Sequence, residues 1–330
     1  MLRGTKASQT MINHPNRSKK KPAPLLVKKE ADLPALIVTG ARTLSVRAGT
    51  RFAAHTYAKQ TPVKMPDELC AGADYVVIAA ARPKAVRALS IPAGLDVLGG
   101  FHFAPGGNAI ARTGGGTTPE INPCSLWDVD FRPSCPDPRG MTLVTTPHGK
   151  FWCDIYLTGV DHLKNGTSAY DVTIADGKDR PIDPATGAPF ARFDYATAVA
   201  VMKHHGKGLL GLDEYVHAFF GVTERSAVGK DPVKTGLDAA RTSRFGVMQA
   251  TGNLWVWGHD GDPDQPRASL FGGNWWYDGV AGSRYAYVAC NWPGDSCDGL
   301  GARGRSDHLQ PVRRRGSDGV APRAASRGGR

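Results

Sequence analysis

Roughly one residue in five of this 330-residue chain is glycine or proline, 40 of the first and 24 of the second. Proline removes a backbone donor and fixes φ, and glycine costs backbone entropy inside any regular element. A chain punctuated at that density folds into short elements joined by turns, and long helical bundles are excluded. The apolar share of 41% is still enough for a real core. No apolar run approaches the ~18 residues that a membrane-spanning helix needs. The length allows about two domains.

The charge is unevenly placed. Of the net +11, the first 30 residues carry +7 and the last 20 carry +5, so the body between is within one charge of neutral. Residues 1–30, with Arg17 to Lys21 and Lys28-Lys29, and residues 310–330, with Arg313 to Arg315, read as basic disordered tails. A neutral body argues against a nucleic-acid-binding domain. Leu25-Leu26-Val27 is too short for the apolar stretch of a secretion signal, so synthesis in the cytoplasm is expected. The six cysteines contain no CxxC pair, which fits neither a zinc ribbon nor a disulfide scaffold.

Residues 31–120 alternate short apolar runs with turns, as in Leu36-Ile-Val38, Tyr75-Val-Val-Ile78 and Leu95-Asp-Val-Leu98, and predict a small β-rich domain. Gly106-Gly107 and Gly114-Gly-Gly116 look like a flexible linker. Beyond it, strands are expected at 126–131, 141–144, 151–157 and 171–175, with core β segments at 254–257 and 270–271. Two amphipathic helices are expected. One runs from Asp194, as N-cap, to His205 with Tyr195, Val199 and Met202 inward; the other runs from Asp213 to Phe220 with Leu212, Tyr215, Val216 and Phe219 inward. Two helices in a loop-dominated β framework make an α+β body.

Several constellations carry chemistry on paper. His204-His205 lacks the partner one turn away that a metal would need, and its place at a helix C-terminus is electrostatically favourable. Asp260-Gly-Asp-Pro-Asp264 has the alternating oxygens of a calcium loop but not its glycine or its closing carboxylate, so an acidic turn is expected. Ser306-Asp307-His308 has triad letters, yet consecutive side chains point apart. Cys290 and Cys297 are candidates for an oxidisable or copper-binding pair, against the commoner reading as two small tolerated positions.

The stretch from Phe271 to Cys297 says more. Trp276, Tyr277, Tyr285, Tyr287 and Trp292 sit among Gly, Ser, Asn, Asp and Ala with neither a helical nor a strand period. Aromatic anchors spaced by small polar residues are the composition of a binding surface. From Ala268 to Leu309 there is also no Lys, Glu, Gln or Met. An AAC codon randomised at both adenines yields Tyr, Asp, Ser, Cys, Gly, Ala, Val and Asn among others. It never yields Lys, Glu, Gln, Met or Trp, so the tryptophans must be fixed or come from another codon.

Seven motifs then carry a family likeness. They are the stretches 137–144, 151–157, 236–243, 246–252 with Trp255-Val-Trp257, Phe271-Gly-Gly-Asn-Trp275, Gly282-Ser-Arg284, and Gly301-Ala-Arg-Gly-Arg-Ser-Asp-His-Leu309. Over about residues 120–309 the chain resembles the variable proteins of diversity-generating retroelements. The resemblance implies a C-type-lectin-like domain of the formylglycine-generating-enzyme subtype over residues 121–309, with a variable region at about 268–300. In such a family a reverse transcriptase copies a template repeat, with errors at adenines, into the 3′ end of the gene. The varied residues cluster on one face, which binds diverse ligands; phage members use it at tail-fibre tips and bacterial members at the cell surface.

Carried over by position, the ligand-facing set is Asn274, Trp276, Tyr277, Asp278, Val280, Ser283, Tyr285, Tyr287, Val288, Cys290, Asn291, Asp295, Ser296, Cys297 and Asp298. Trp255, Trp257, Phe271 and Trp275 would be frame. The implied protein is a non-enzymatic binder of a protein or glycan on a cell surface. It would need no cofactor or metal, would be attached to a phage tail or other carrier through its N-terminal part, and would gain avidity if it multimerises. The competing reading is a copper-dependent oxidase of the formylglycine-generating type, with Cys290 and Cys297 as its cysteine pair. The basic extension past Leu309 departs from the family, whose chains usually end near the Asp-His-Leu motif.

Overall fold

The computed structural model describes residues 26–260 and 268–309. Its first part is all β. The β-branched run in Ala73–Ile78 forms the middle of a sheet, paired antiparallel with Lys84–Arg87 on one side and Val97–Ala104 on the other. Tyr75 and Phe101 stack across that pairing at 5.2 Å. A three-stranded sheet of Leu36–Gly40, Thr43–Val46 and Thr61–Pro62 and a hairpin of Thr50–Phe52 with His55–Tyr57 complete it. The strand expected at 95–98 starts at Val97 and runs on to Ala104.

Two sequence boundaries move. The strand expected over 126–131 is only Trp127–Asp128, and it pairs back to Gly100 and Gly99 of the first sheet. Asp128, fully buried, explains the attachment: its carboxylate accepts the backbone N–H of Ala35 (2.7 Å) and of Phe131 (2.7 Å) and the ammonium of Lys28 (2.9 Å). Residues 26–30, read from charge as the end of a tail, therefore belong to the fold. Leu26 is buried, and Val27 bridges Arg51. The remainder of both basic tails, residues 1–25 and 310–330, lies outside the described residues.

The glycine stretch at 106–116 is packed, contrary to the flexible linker expected. Gly114 N–H donates to Gly221 O, Gly115 N–H to Ala239 O and Gly116 N–H to Gly107 O, all within 3.0 Å. Close backbone approach is what the missing side chains permit there.

The second part is also mostly β, which corrects the α+β expectation. Its helices are α1 (His162–Asn165), α2 (Tyr195–His204) and α3 (Leu212–Ala218). Asp194 caps α2 by accepting from Thr197 N–H, as the sequence predicts. The buried stripe of α2 is Ala198, Val201 and Met202, while Val199 faces outward. A ring as large as Tyr195 sets the helix rotation by packing edge-on to Trp257, 6.0 Å away. In α3, Tyr215 is buried as expected, and so is Phe219 just past its end.

Two four-stranded sheets frame this part. One runs Met141–Thr146, Gly149–Asp154, Gly304–Asp307, Gly208–Leu209. The other runs Ala286–Asn291, Ala268–Phe271, Trp255–Gly258, Leu300–Gly301. The stretch expected as a strand at 171–175 makes only isolated bridges.

Buried charges lock the second part together. Arg303, 0% exposed, donates from Nη1 to the carbonyls of Asp154 and Ile155 and from Nη2 to those of Met248 and Gln249. Burial pushes its pKa down to about 10, still far above neutral pH. Beside it, Lys207 Nζ pairs with Asp154 Oδ1 at 2.6 Å, and Asp154 Oδ2 accepts from Thr167 and Gly304 N–H. The two halves of the chain meet through a buried polar string in which His102 contacts Asp74 (3.1 Å) and Tyr156 (3.0 Å).

Candidate functional site

The aromatic segment lies on the edge of the second sheet of this part. Among the described residues its strand, Ala286–Asn291, has a neighbour on one side only, Ala268–Phe271. Pairing slips there: Leu270 faces Tyr287 while Ala268 faces Asn291, so four residues on the edge strand span two on its partner. Such a bulge breaks the in–out alternation, and Tyr287 and Val288 are both exposed as a result. Tyr287 rests on the Trp255 ring, with centroids 5.0 Å apart.

The loop before the strand is fixed from below. Gly273 has φ +78°, and a Cβ there would sit 2.3 Å from Val280 O, so the second glycine of the Phe271-Gly-Gly motif is required by the turn. Tyr215 from α3 donates its hydroxyl to the carbonyls of Gly282 (2.6 Å) and Tyr285 (2.8 Å). Asp278 Oδ1 accepts Ala227 N–H at 2.7 Å, and Arg225 Nε–H donates to the Tyr285 hydroxyl at 3.0 Å. Tyr215 thus holds the backbone of the segment from outside it, while Ala227 and Arg225 hold the side chains of Asp278 and Tyr285.

On that support the proposed ligand-facing residues divide, apart from Cys290, whose side chain lies outside those described. Trp276, Tyr277, Asp278, Tyr287, Val288, Asp295 and Cys297 are exposed, with Tyr277 at 58%. Val280, Tyr285, Asn291, Ser296 and Asp298 are half-buried. Asn274 (3% exposed) and Ser283 (2%) face inward, which corrects their outward placement. Ser283 points in because its hydroxyl donates to the carboxylate of Glu224, itself covered by Gly282. Asn274 is enclosed where its backbone bridges Asn253 and its amide lies against Gly299. Trp276 folds over Gly299 as well and sits edge-on to Trp275 at 4.6 Å.

Trp292, absent from that set though counted among the aromatic anchors, is the most exposed tryptophan at 62%. The sequence did carry the signal, since Trp292 stands among the aromatic anchors with Asn, Pro and Gly beside it. Glu224 and Arg225 gave none; their role depends on a contact across about 60 residues.

The frame residues are where a frame needs them: Trp257 and Phe271 are fully buried, Trp255 nearly so, and Phe271 stacks on Tyr215 at 4.6 Å. Acidity flanks the face on one side. Burial, then the charges of Asp298, Asp295 and Asp176, raise the Cys297 pKa, so its thiol is held protonated and poorly nucleophilic.

The other constellations stand apart from this surface. His205 bonds His162 at 2.9 Å, and burial is the first cause of its pKa falling to about 4. Ser306 and His308 are spent on structure: Ser306 Oγ accepts Cys135 N–H, and His308 Nδ1 accepts the Trp152 indole N–H at 3.0 Å. Of the acidic turn at 260–264, Asp260 caps Leu212 N–H at the start of α3, and the rest lies outside the described residues. Among the described residues no group of three or more His, Cys, Asp or Glu is arranged to hold a metal ion.

A packed β body that carries an irregular, aromatic-rich edge on a backbone secured from beneath defines a surface-presenting binding scaffold. Comparison with known proteins gives the family. The family model described as the Mtd second domain matches residues 34–128, ending where Asp128 closes the first sheet. The tail fiber receptor-binding protein of Bordetella phage BPP-1 is 38% identical, over 86% of this chain and 84% of its own. Solved structures of the Major Tropism Determinant U1 and I1 variants superpose with TM-scores of 0.80, at 38% identity, covering 87% of this chain and 86% of theirs. The chain belongs to the major tropism determinant family.

Proposed function

We propose that this chain is a hypervariable receptor-binding protein of a phage or prophage tail, whose exposed face between Trp276 and Asp298 contacts a protein or glycan on the host surface. The observation that carries the reading is the division just described: exposed aromatics and aspartates lie on a loop and edge strand whose backbone is held by Tyr215 and by closely packed glycines. The tail-fibre relative supports the placement on a virion. Residues 121–309 would form the C-type-lectin-like domain of the formylglycine-generating-enzyme subtype, and the β part before it the attachment to the tail. Display in several copies would multiply the residence time of weak single contacts. Binding without catalysis fits a face whose one described thiol, Cys297, is kept protonated.

Deep sequencing of codons 268–310 across one cultured lineage, with the DNA just downstream, tests the diversification. Substitutions confined to positions matching adenines of a nearby near-repeat are expected. A uniform segment with no repeat would leave an ordinary surface with one fixed ligand.

A further inference from the structure

One cleft of the molecule lies apart from the aromatic edge. It encloses about 510 Å³ between the first sheet, the loop after α1 and the end of α2. That is the volume range of small-ligand sites. Every carboxylate in its wall is already matched: Asp137 is gripped by Arg139 (3.0 and 3.1 Å from Nε), and Asp74 by His102 and Gly140 N–H. Lys207 is matched too, by Asp154. Three basic side chains in the same wall, Arg87, Lys164 and His204, have no carboxylate partner among the described residues. The unbalanced field in the cleft is therefore positive.

One wall supplies a flat apolar surface. Tyr170 lies over Gly72, where a Cβ would come within 2.1 Å of its ring, and against Tyr156 at 5.8 Å. Its position is thereby fixed while the ring still lines the cleft. A ring face with cations beside it suits a ligand that is apolar on one face, rich in hydroxyls and negatively charged at its rim.

We propose that this cleft is a second binding site, outside the diversified segment, for an acidic saccharide whose sugar face stacks on Tyr170 and whose carboxylate or phosphate meets Arg87 and Lys164. It would give the protein a ligand contact that does not change when the variable face does.

Calorimetric titration of the full chain with tetragalacturonate and with maltotetraose tests it. Binding of the acidic probe at micromolar to low-millimolar concentration, and of the neutral one at least tenfold more weakly, is expected. Arg87→Gln and Lys164→Gln, both at exposed positions, should each weaken the acidic probe roughly tenfold, the loss of one charge-assisted contact. Lys84→Gln, on the same strand as Arg87 but outside the cleft, should leave it unchanged. A glucose 6-phosphate titration separates a phosphate from a carboxylate preference. No binding of any acidic probe at 10-millimolar scale (~10 mM, a ΔG° near −3 kcal/mol), equal binding of the neutral probe, or indifference to both substitutions would overturn the proposal.

Discussion

The two ends of the segment from Phe271 to Leu309 obey opposite rules. Around Arg303 the side chains are spent on the fold: the two Nη groups of the guanidinium reach four carbonyls, and Asp154, Lys207 and Thr167 close a network with almost no solvent. Around Tyr277 and Trp292 the backbone is held by Tyr215 and these two side chains stand exposed, while their neighbours Asp278 and Tyr285 bond Ala227 and Arg225 through their side chains. A surface can accept many sequences when its shape is stored in main-chain hydrogen bonds from elsewhere. It loses that tolerance where a side chain becomes part of the store, as Ser283 does.

Breaking the committed end should cost most. Arg303→Met takes the guanidinium away from four buried carbonyls, of which that of Ile155 keeps the Met248 N–H, and about 4 kcal/mol of stability should be lost; chemical denaturation reads this directly. Gly282→Ala comes next, because the added methyl meets the Glu224 carboxylate at 2.2 Å, and overpacking of this kind costs about 1–3 kcal/mol. Ser283→Ala, which leaves Glu224 without its hydroxyl donor, should cost about 1–2 kcal/mol. If Ser283→Ala is silent, that position belongs with the free side chains after all.

Acid sharpens the contrast at a third place. His205 is neutral in the fold, with its pKa pushed to about 4 by burial and by His162 and Lys207, against about 6.5 when unfolded. The unfolded chain thus binds the extra proton first, so the stability this pair contributes is complete above pH ~6.5 and is lost as pH falls toward ~4. Burial raises Asp130 and Asp176, which act in the opposite sense over the carboxylate range. The readout is therefore a difference: between pH 7 and 4.5, melting should fall by several degrees more in the parent chain than in His205→Gln. Equal falls would remove the histidine pair from the account.

Much of this was legible from residues. The strand around Tyr75 followed from a β-branched run, the start of α2 from Asp194, and the aromatic face from a composition that fits no period. What escaped depended on contacts between distant positions. Charge alone assigned Lys28 to a tail, because its partner is Asp128, a hundred residues on. The glycines at 114–116 looked flexible because flexibility and close packing call for the same residue, and only Gly221 and Ala239 decide between them. Val199 and Tyr195 share a helical face on paper, but Trp257 fixes which part of that face turns inward. Asn274 and Ser283 have the codon chemistry of variable positions and the burial of fixed ones, a distinction no spacing carries.

The central claim is that the presented side chains bind while the scaffold is indifferent to them. The triple variant Tyr277→Ser, Val288→Ser, Trp292→Ser tests it, measured for melting temperature and for adsorption to host cells that the parent protein binds. Surface substitutions away from packed features change stability by about 0.5 kcal/mol or less each, so melting should move by only a few degrees. Loss of two aromatic anchors should weaken adsorption by roughly 30-fold or more. A chain that unfolds on this change, or one that adsorbs as before, would contradict the account.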